Sequence, residues 1–262
     1  MDTDKILMRK EGPLGRLIIN NPDKRNAISM DMAVRAGEVL EEFDQDPDIR
    51  VVIISGEGEK AFVAGADISE FDKRRKDADT AASYEKTASA LFSGVRTIAK
   101  PTIAMIHGYC MGGGVALACG CDIRICAEGS VFAIPAGRLG LAYRVDLTRW
   151  LVDAVGPGRA KEILFTARRM DAQEAYRMGL VNHVVALDEL ESYVVEFAGS
   201  IAENAPLTMA AAKGIINEIV RGERDFDGPA CGKLIAACMD SEDFAEGRKA
   251  FAEKRKPEFK GR

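Results

Sequence analysis

The chain has 262 residues, 47% hydrophobic and 29% charged, with a formal net charge of −5. That length and balance imply one large globular domain plus a small one, and the acidic surplus argues against a general binder of nucleic acid or anionic membranes. No apolar run reaches the ~18–20 residues of a membrane span and MDTDKILMRKEG lacks a signal-peptide core, so the expected setting is cytoplasmic.

Taken in order, residues 5–10 and 15–20 read as two strands turning at EGPLG, followed by the turn formers NNPDKRN. Helical spacing of Met32, Val34, Val39, Leu40 and Phe43 predicts a helix from Ser29 to Phe43, with Ser29 or Asp31 as cap. VVIISG (51–56) is a continuous apolar strand leading into the small-residue loop AFVAGADISEF. A charged linker (71–79) precedes a helical pattern over 80–99. Thr102 to Ile106 then form a buried strand, ended by Gly108, Gly112, Gly113 and Gly114 and followed by a small-residue helix over Val115 to Cys119.

Strands over 122–127 and 130–135 give a recurring strand-strand-helix order. Further helices are expected from about Val145 to Gly156-Pro157, over 160–166 and over 172–178, and LVNHVVA supplies a last strand. From Leu187 the chain reads as helical, broken near Asn204 to Pro206, Arg221 to Pro229 and Met239 to Ser241. This divides it into a core (1–204) and a helical part (205–262).

The glycine run is the centre of the functional argument. Without side chains the backbone can press against a ligand, and the first N–H groups of the following helix point outward with the positive end of its dipole. Such a place suits a developing negative charge, and the loop around Gly65 and Ala66 can aim a second N–H at the same atom. The alternative is that the glycines serve close strand–helix packing alone.

These two stretches together resemble the crotonase superfamily of enoyl-CoA hydratases and isomerases, from NPDKRNAIS (21–29) to AFAEKRKPEFK (250–260). The resemblance implies an α/β fold, a spiral of ββα units with a C-terminal helical part that makes trimers or dimers of trimers. It implies an acyl-CoA thioester as substrate, with CoA part of that substrate and no separate cofactor. The oxyanion hole would be formed by the N–H groups of Ala66 and Gly113. CoA would lie against Lys24, Arg25, Ala27, Ala64, Ala66, Asp67 and Ile68, and a neighbouring subunit would bring Phe251 and Lys254 to its adenine and phosphate end. The other reading of that basic terminal helix is a solvated surface.

The hydratases of this family move protons with two glutamates, which the resemblance places at Ala116 (GGGVALA) and Ala136 (FAIPAGRLGL). Alanine transfers no proton, so the expectation is not ordinary two-glutamate hydration. Arg138, Tyr143, Arg144, Asp146 and Arg149 occupy the corresponding loop, where a guanidinium fork would suit a substrate carboxylate; the other reading is that these arginines are exposed surface residues or pair with Asp146 and Asp153. LGLAY (139–143) is similar to the segment of methylmalonyl-CoA decarboxylases that carries an active-site tyrosine, although Ala66 stands where those enzymes have histidine. The expected functions are therefore stabilisation of a thioester enolate, including decarboxylation of a carboxylated acyl-CoA, enoyl-CoA hydration or isomerisation by another route, or acyl-CoA binding without turnover.

Six cysteines lie mostly in apolar stretches without C-x-x-C pairs and read as reduced core thiols rather than disulfides or zinc ligands, so no metal site is expected. His107 reads as a hydrogen-bonded core histidine, the alternative being a role near the site, His183 as a strand residue, and Asp67 as a cap for the segment after it, the alternative being a catalytic carboxylate.

Overall fold

The computed structural model describes residues 3–67, 91–222 and 225–262. Six strands lie side by side in the order β1 (Ile6–Glu11), β2 (Leu14–Ile19), β3 (Val51–Gly56), β5 (Thr102–Ile106), β7 (Ile123–Ala127) and β10 (His183–Val185). β1 and β2 form an antiparallel hairpin, and the remaining neighbours run parallel. VVIISG and TIAMI are apolar throughout because both faces of the sheet are covered. Val51, Ile53, Ile103 and Met105 enter one apolar layer, and Val52, Ile54, Ala104 and Ile106 the other.

Helix α6 (Leu190–Ala202) closes the first layer with Leu190, Val194, Ala198 and Ala202, one every four residues. The second, larger layer holds α1 (Met30–Gln45), α2 (91–97), α3 (Gly113–Gly120), α4 (Val145–Thr166) and α5 (Ala172–Met178). Ser29 caps α1, its hydroxyl accepting from the Met32 amide at 3.3 Å. Gly156 breaks α4 with φ 77°, so the helix ending at Gly156-Pro157 and the helix over 160–166 are its two arms.

Four short strands make a second sheet: β4 (Ala61–Val63), β6 (Tyr109–Met111), β8 (Val131–Ala133) and β9 (Met170–Asp171). β3 and β4, β5 and β6, and β7 and β8 are successive pairs in which one strand goes to each sheet, and β4, β6 and β8 run parallel. This is the spiral of ββα units. Two segments read from sequence as loop are thereby corrected: Ala61–Val63 and Tyr109–Met111 are strands, too short to show a period but paired across the spiral.

α7 (Pro206–Arg221), α8 (Gly228–Met239) and α9 (Glu242–Glu253) complete the chain, with Asp227 capping α8 and Ser241 capping α9. Lys213 ties α7 to the core through Asp122 at 2.8 Å and the Lys100 carbonyl at 2.9 Å. Buried Asp243 accepts from the amides of Lys260 (2.6 Å) and Gly261 (2.8 Å), folding the tail back onto α9. No described helix is long and apolar enough to cross a membrane. The linker over 71–79 and most of the helical pattern over 80–99 lie outside the described residues.

Candidate active site

The chain turns twice at the ends of β4 and β6, and the two turns meet. A short ladder fixes the first: Ala64 N–H donates to Arg25 O at 3.0 Å, Ile28 N–H to Gly65 O at 2.9 Å and Asp67 N–H to Ile28 O at 2.9 Å. Alternate groups are used, so Ala66 N–H is left over. The second turn carries Gly112, with φ 52°, into the N-terminus of α3. A Cβ built on Gly113 would lie 3.7 Å from Ala66 N, and one built on Gly65 would lie 3.7 Å from Gly113 N. The amides of Ala66 and Gly113 thus sit beside one another, and neither donates to a backbone carbonyl among the described residues. Two such donors can hold one oxygen on which charge develops.

Gly114 has a different duty. A Cβ there would overlap the carbonyl oxygen of Val63, so Gly114 lets α3 lie against β4. Packing therefore requires glycine at 114, whereas a Cβ at 113 would meet nothing nearer than 3.7 Å. Ala116, one turn past Gly113, is 1% exposed, and Ala136 is half-buried against the same apolar layer.

Tyr143 links the 138–146 loop to the glycine turn. Tyr143 packs against the apolar layer and its hydroxyl donates to the Gly112 carbonyl at 3.0 Å. Burial pushes the phenol well above its usual pKa, so it stays a donor at any neutral pH. Arg144 turns its fork on Asp146, Nη2 to Oδ2 at 2.5 Å and Nε to Oδ1 at 3.1 Å. Arg149 donates to the Val220 carbonyl at 2.7 Å, and Arg96, not Arg149, is the partner of Asp153, at 3.9 Å. Arg138 is exposed and forms no ion pair among the described residues. Leu139, Leu141 and Val145 around Tyr143 are exposed apolar residues.

On the other side of Ala66, Lys24 Nζ meets buried Asp67 Oδ2 at 2.6 Å. The Asp67 carboxylate thus pairs with Lys24, while the segment it was expected to cap, and Ile68, lie outside the described residues. Arg25 adopts a left-handed conformation (φ 52°) and stands over the Tyr109 ring at 5.4 Å, with Arg169 at 5.8 Å from the same ring. Arg169 is a cation that no sequence pattern singles out, since 144 positions of chain separate it from Arg25. Ala27 and Ala64 lie half-buried in the same paired loops. Phe251, 88% exposed, and Lys254 project from the far end of α9.

His107 is buried at the end of β5 and hydrogen-bonds the Gly58 backbone, as a core histidine is expected to do, while its Nε2 has no partner among the described residues. Burial lowers its pKa. His183 sits in β10, with Nδ1 3.3 Å from the Tyr193 hydroxyl. All six cysteines are free, and burial raises Cys119 to about 11 and Cys121 and Cys126 to about 12, which leaves them as inert thiols.

With this geometry in hand, the likeness to known proteins is extensive. The enoyl-CoA hydratase/isomerase family profile matches residues 9–262. The chain is 36% identical to a short-chain-enoyl-CoA hydratase of Clostridium acetobutylicum, over 100% of both chains. It is 38% identical to a carnitinyl-CoA dehydratase of Proteus mirabilis, covering 99% of this chain and 100% of the relative. Among solved structures, an enoyl-CoA hydratase/carnithine racemase from Magnetospirillum magneticum superposes with a TM-score of 0.94 at 36% identity, covering 100% of this chain and 97% of that one. The chain belongs to the enoyl-CoA hydratase/isomerase family of the crotonase superfamily.

Proposed function

We propose that this protein is an acyl-CoA enzyme that stabilises a thioester oxyanion or enolate between the amides of Ala66 and Gly113, without a glutamate acid and base. The observation that carries the reading is the close approach of those two uncommitted amides. The names of the relatives, an enoyl-CoA hydratase and a carnitinyl-CoA dehydratase, support a CoA thioester as substrate. Preorganised N–H donors of this kind are typically worth about 10²–10³-fold each in turnover.

Ala116 and Ala136 stand where the resemblance places the two glutamates, and neither can add or remove a proton. Decarboxylation fits the remaining equipment. Breaking the bond from the α-carbon to a carboxylate leaves its electron pair on that carbon, delocalised onto the thioester oxygen in the hole. Carbon dioxide departs, and the α-carbon then takes a proton from solvent water, which leaves as hydroxide. Arg138, exposed and without an ion pair among the described residues, could steer such a carboxylate, and so could Arg144 if it exchanges Asp146 for it.

The proposed CoA-binding surface comprises Lys24, Arg25, Ala27, Ala64, Asp67 and Ile68. In the proposed trimer or dimer of trimers, Phe251 and Lys254 serve a neighbouring subunit. Incubation with crotonyl-CoA, malonyl-CoA, methylmalonyl-CoA and butyryl-CoA separates the readings. Release of carbon dioxide supports decarboxylation, hydration of crotonyl-CoA supports another water-delivery route, and binding of all four without turnover marks a silent acyl-CoA binder.

A further inference from the structure

The carbonyl that Tyr143 engages belongs to the same peptide unit as the Gly113 N–H. Gly112 O accepts twice, from the Tyr143 hydroxyl at 3.0 Å and from Ala116 N–H at 3.2 Å, while Gly112 N–H is anchored on Ala133 O at 2.8 Å. Donation to a peptide oxygen draws electron density from its nitrogen, so the N–H on the opposite edge becomes a stronger donor. Hydrogen bonds in series strengthen one another by roughly 10–30% in condensed phases. The same two bonds resist rotation of the peptide plane, which a glycine at φ 52° would otherwise permit.

We propose that Tyr143 is a positioning residue of the oxyanion hole, which orients and polarises the Gly112–Gly113 peptide so that Gly113 N–H meets the thioester oxygen as a strengthened donor. This rests on reading Gly113 N–H as a donor of the hole. It gives the buried hydroxyl a duty that requires no carboxylate on the substrate and no proton transfer from the phenol. The loop around it is built to hold that pose: Thr148 Oγ1 donates to Arg144 O at 2.7 Å, and Arg144 is clamped by Asp146.

The test uses the full chain, Tyr143→Phe, and butyryl-CoA carrying ¹³C at the thioester carbonyl, a ligand without a carboxylate. Two signals are read: the infrared carbonyl stretch of the bound ligand and the ¹⁵N–H resonance of Gly113 in the ligand-free protein. In the unaltered protein the bound carbonyl should absorb at lower wavenumber than in water. Tyr143→Phe should return it at least half-way to the aqueous position and move the Gly113 resonance, while the Kd for free CoA changes less than twofold. Replacing Tyr143 by 3-fluorotyrosine, a more acidic donor, should move both signals the other way. A carbonyl shift that survives Tyr143→Phe overturns the proposal, and so does a Gly113 resonance that stays in place while the carbonyl moves, which would mean that the hydroxyl acts on the ligand directly. A carbonyl unshifted in the unaltered protein would instead remove the oxyanion-hole reading itself, whatever the Gly113 resonance does.

Discussion

Arg144 and Asp146 form a two-point ion pair across a single intervening residue, 2.5 Å at Nη2–Oδ2 and 3.1 Å at Nε–Oδ1. A guanidinium fork that already holds a carboxylate is not free for one on the substrate. Both side chains are partly exposed, 29% and 42%, so the pair is worth no more than about 1 kcal/mol and can exchange partners.

If a substrate carboxylate takes that fork, Asp146→Ala should raise affinity for malonyl-CoA relative to butyryl-CoA by up to about fivefold. Arg144→Ala should lower the same ratio by about tenfold or more, the effect of a lost charged hydrogen bond of about 1.5–3 kcal/mol. Titration calorimetry of both variants reads the ratio directly. A ratio unchanged in both places the substrate carboxylate elsewhere, with Arg138 the next residue to replace.

Neighbouring glycines should fail in different ways. Gly114→Ala drives a Cβ into the Val63 carbonyl, and overpacking of this kind typically costs about 1–3 kcal/mol. Gly113→Ala meets nothing nearer than 3.7 Å, so its melting temperature should stay close to that of the unaltered protein. Its methyl group nevertheless sits beside Ala66 N, where the thioester oxygen would bind, and turnover should fall by about 10²-fold, as for a lost hole donor. Thermal melts beside activity measurements check the split, and a Gly113→Ala protein of full activity would show that the two amides are not the hole.

Much of this arrangement is legible in the sequence, and the exceptions have physical reasons. VVIISG and TIAMI read correctly as buried strands because both faces of the large sheet are covered, and the helix breaks near Pro206, Pro229 and Ser241 match real helix starts. β4 and β6 are three residues each, too short for a period, and only their pairing across successive turns of the spiral identifies them. The bond from Tyr143 to Gly112 spans 31 positions and that from Lys24 to Asp67 spans 43, so no local pattern encodes either. Arg144 and Asp146 are two positions apart, and their pairing is among the readings the sequence itself offers.

His107 should make the fold acid-sensitive. Its folded-state pKa is lowered from 6.5, chiefly by burial, so the unfolded chain binds the proton more readily. Stability is therefore complete above about pH 6.5 and is lost as the pH falls through that value toward the folded pKa. His107→Asn removes the titrating group and should flatten the fall in melting temperature between pH 7 and pH 5. An unchanged slope would assign the acid sensitivity to other groups.

Phe251 is 88% exposed at the end of α9, and Ile216, Ile219, Ile235 and Met239 leave further apolar surface on α7 and α8. If α9 reaches a neighbouring subunit's CoA, sedimentation should find a trimer or hexamer, and Phe251→Ser should weaken CoA binding severalfold without dissociating it. A monomer that binds CoA with full affinity would contradict this arrangement.

An oxyanion hole that lacks the glutamate acid and base should make a poor hydratase, and crotonyl-CoA is the substrate that reveals this. Its hydration is followed by loss of the enoyl absorbance, beside the short-chain-enoyl-CoA hydratase of Clostridium acetobutylicum and at concentrations where butyryl-CoA binding has been verified for both. This protein should bind butyryl-CoA yet hydrate crotonyl-CoA at least about 10²-fold more slowly, the lower end of what one acid–base group contributes. Hydration within tenfold of the Clostridium enzyme would contradict it.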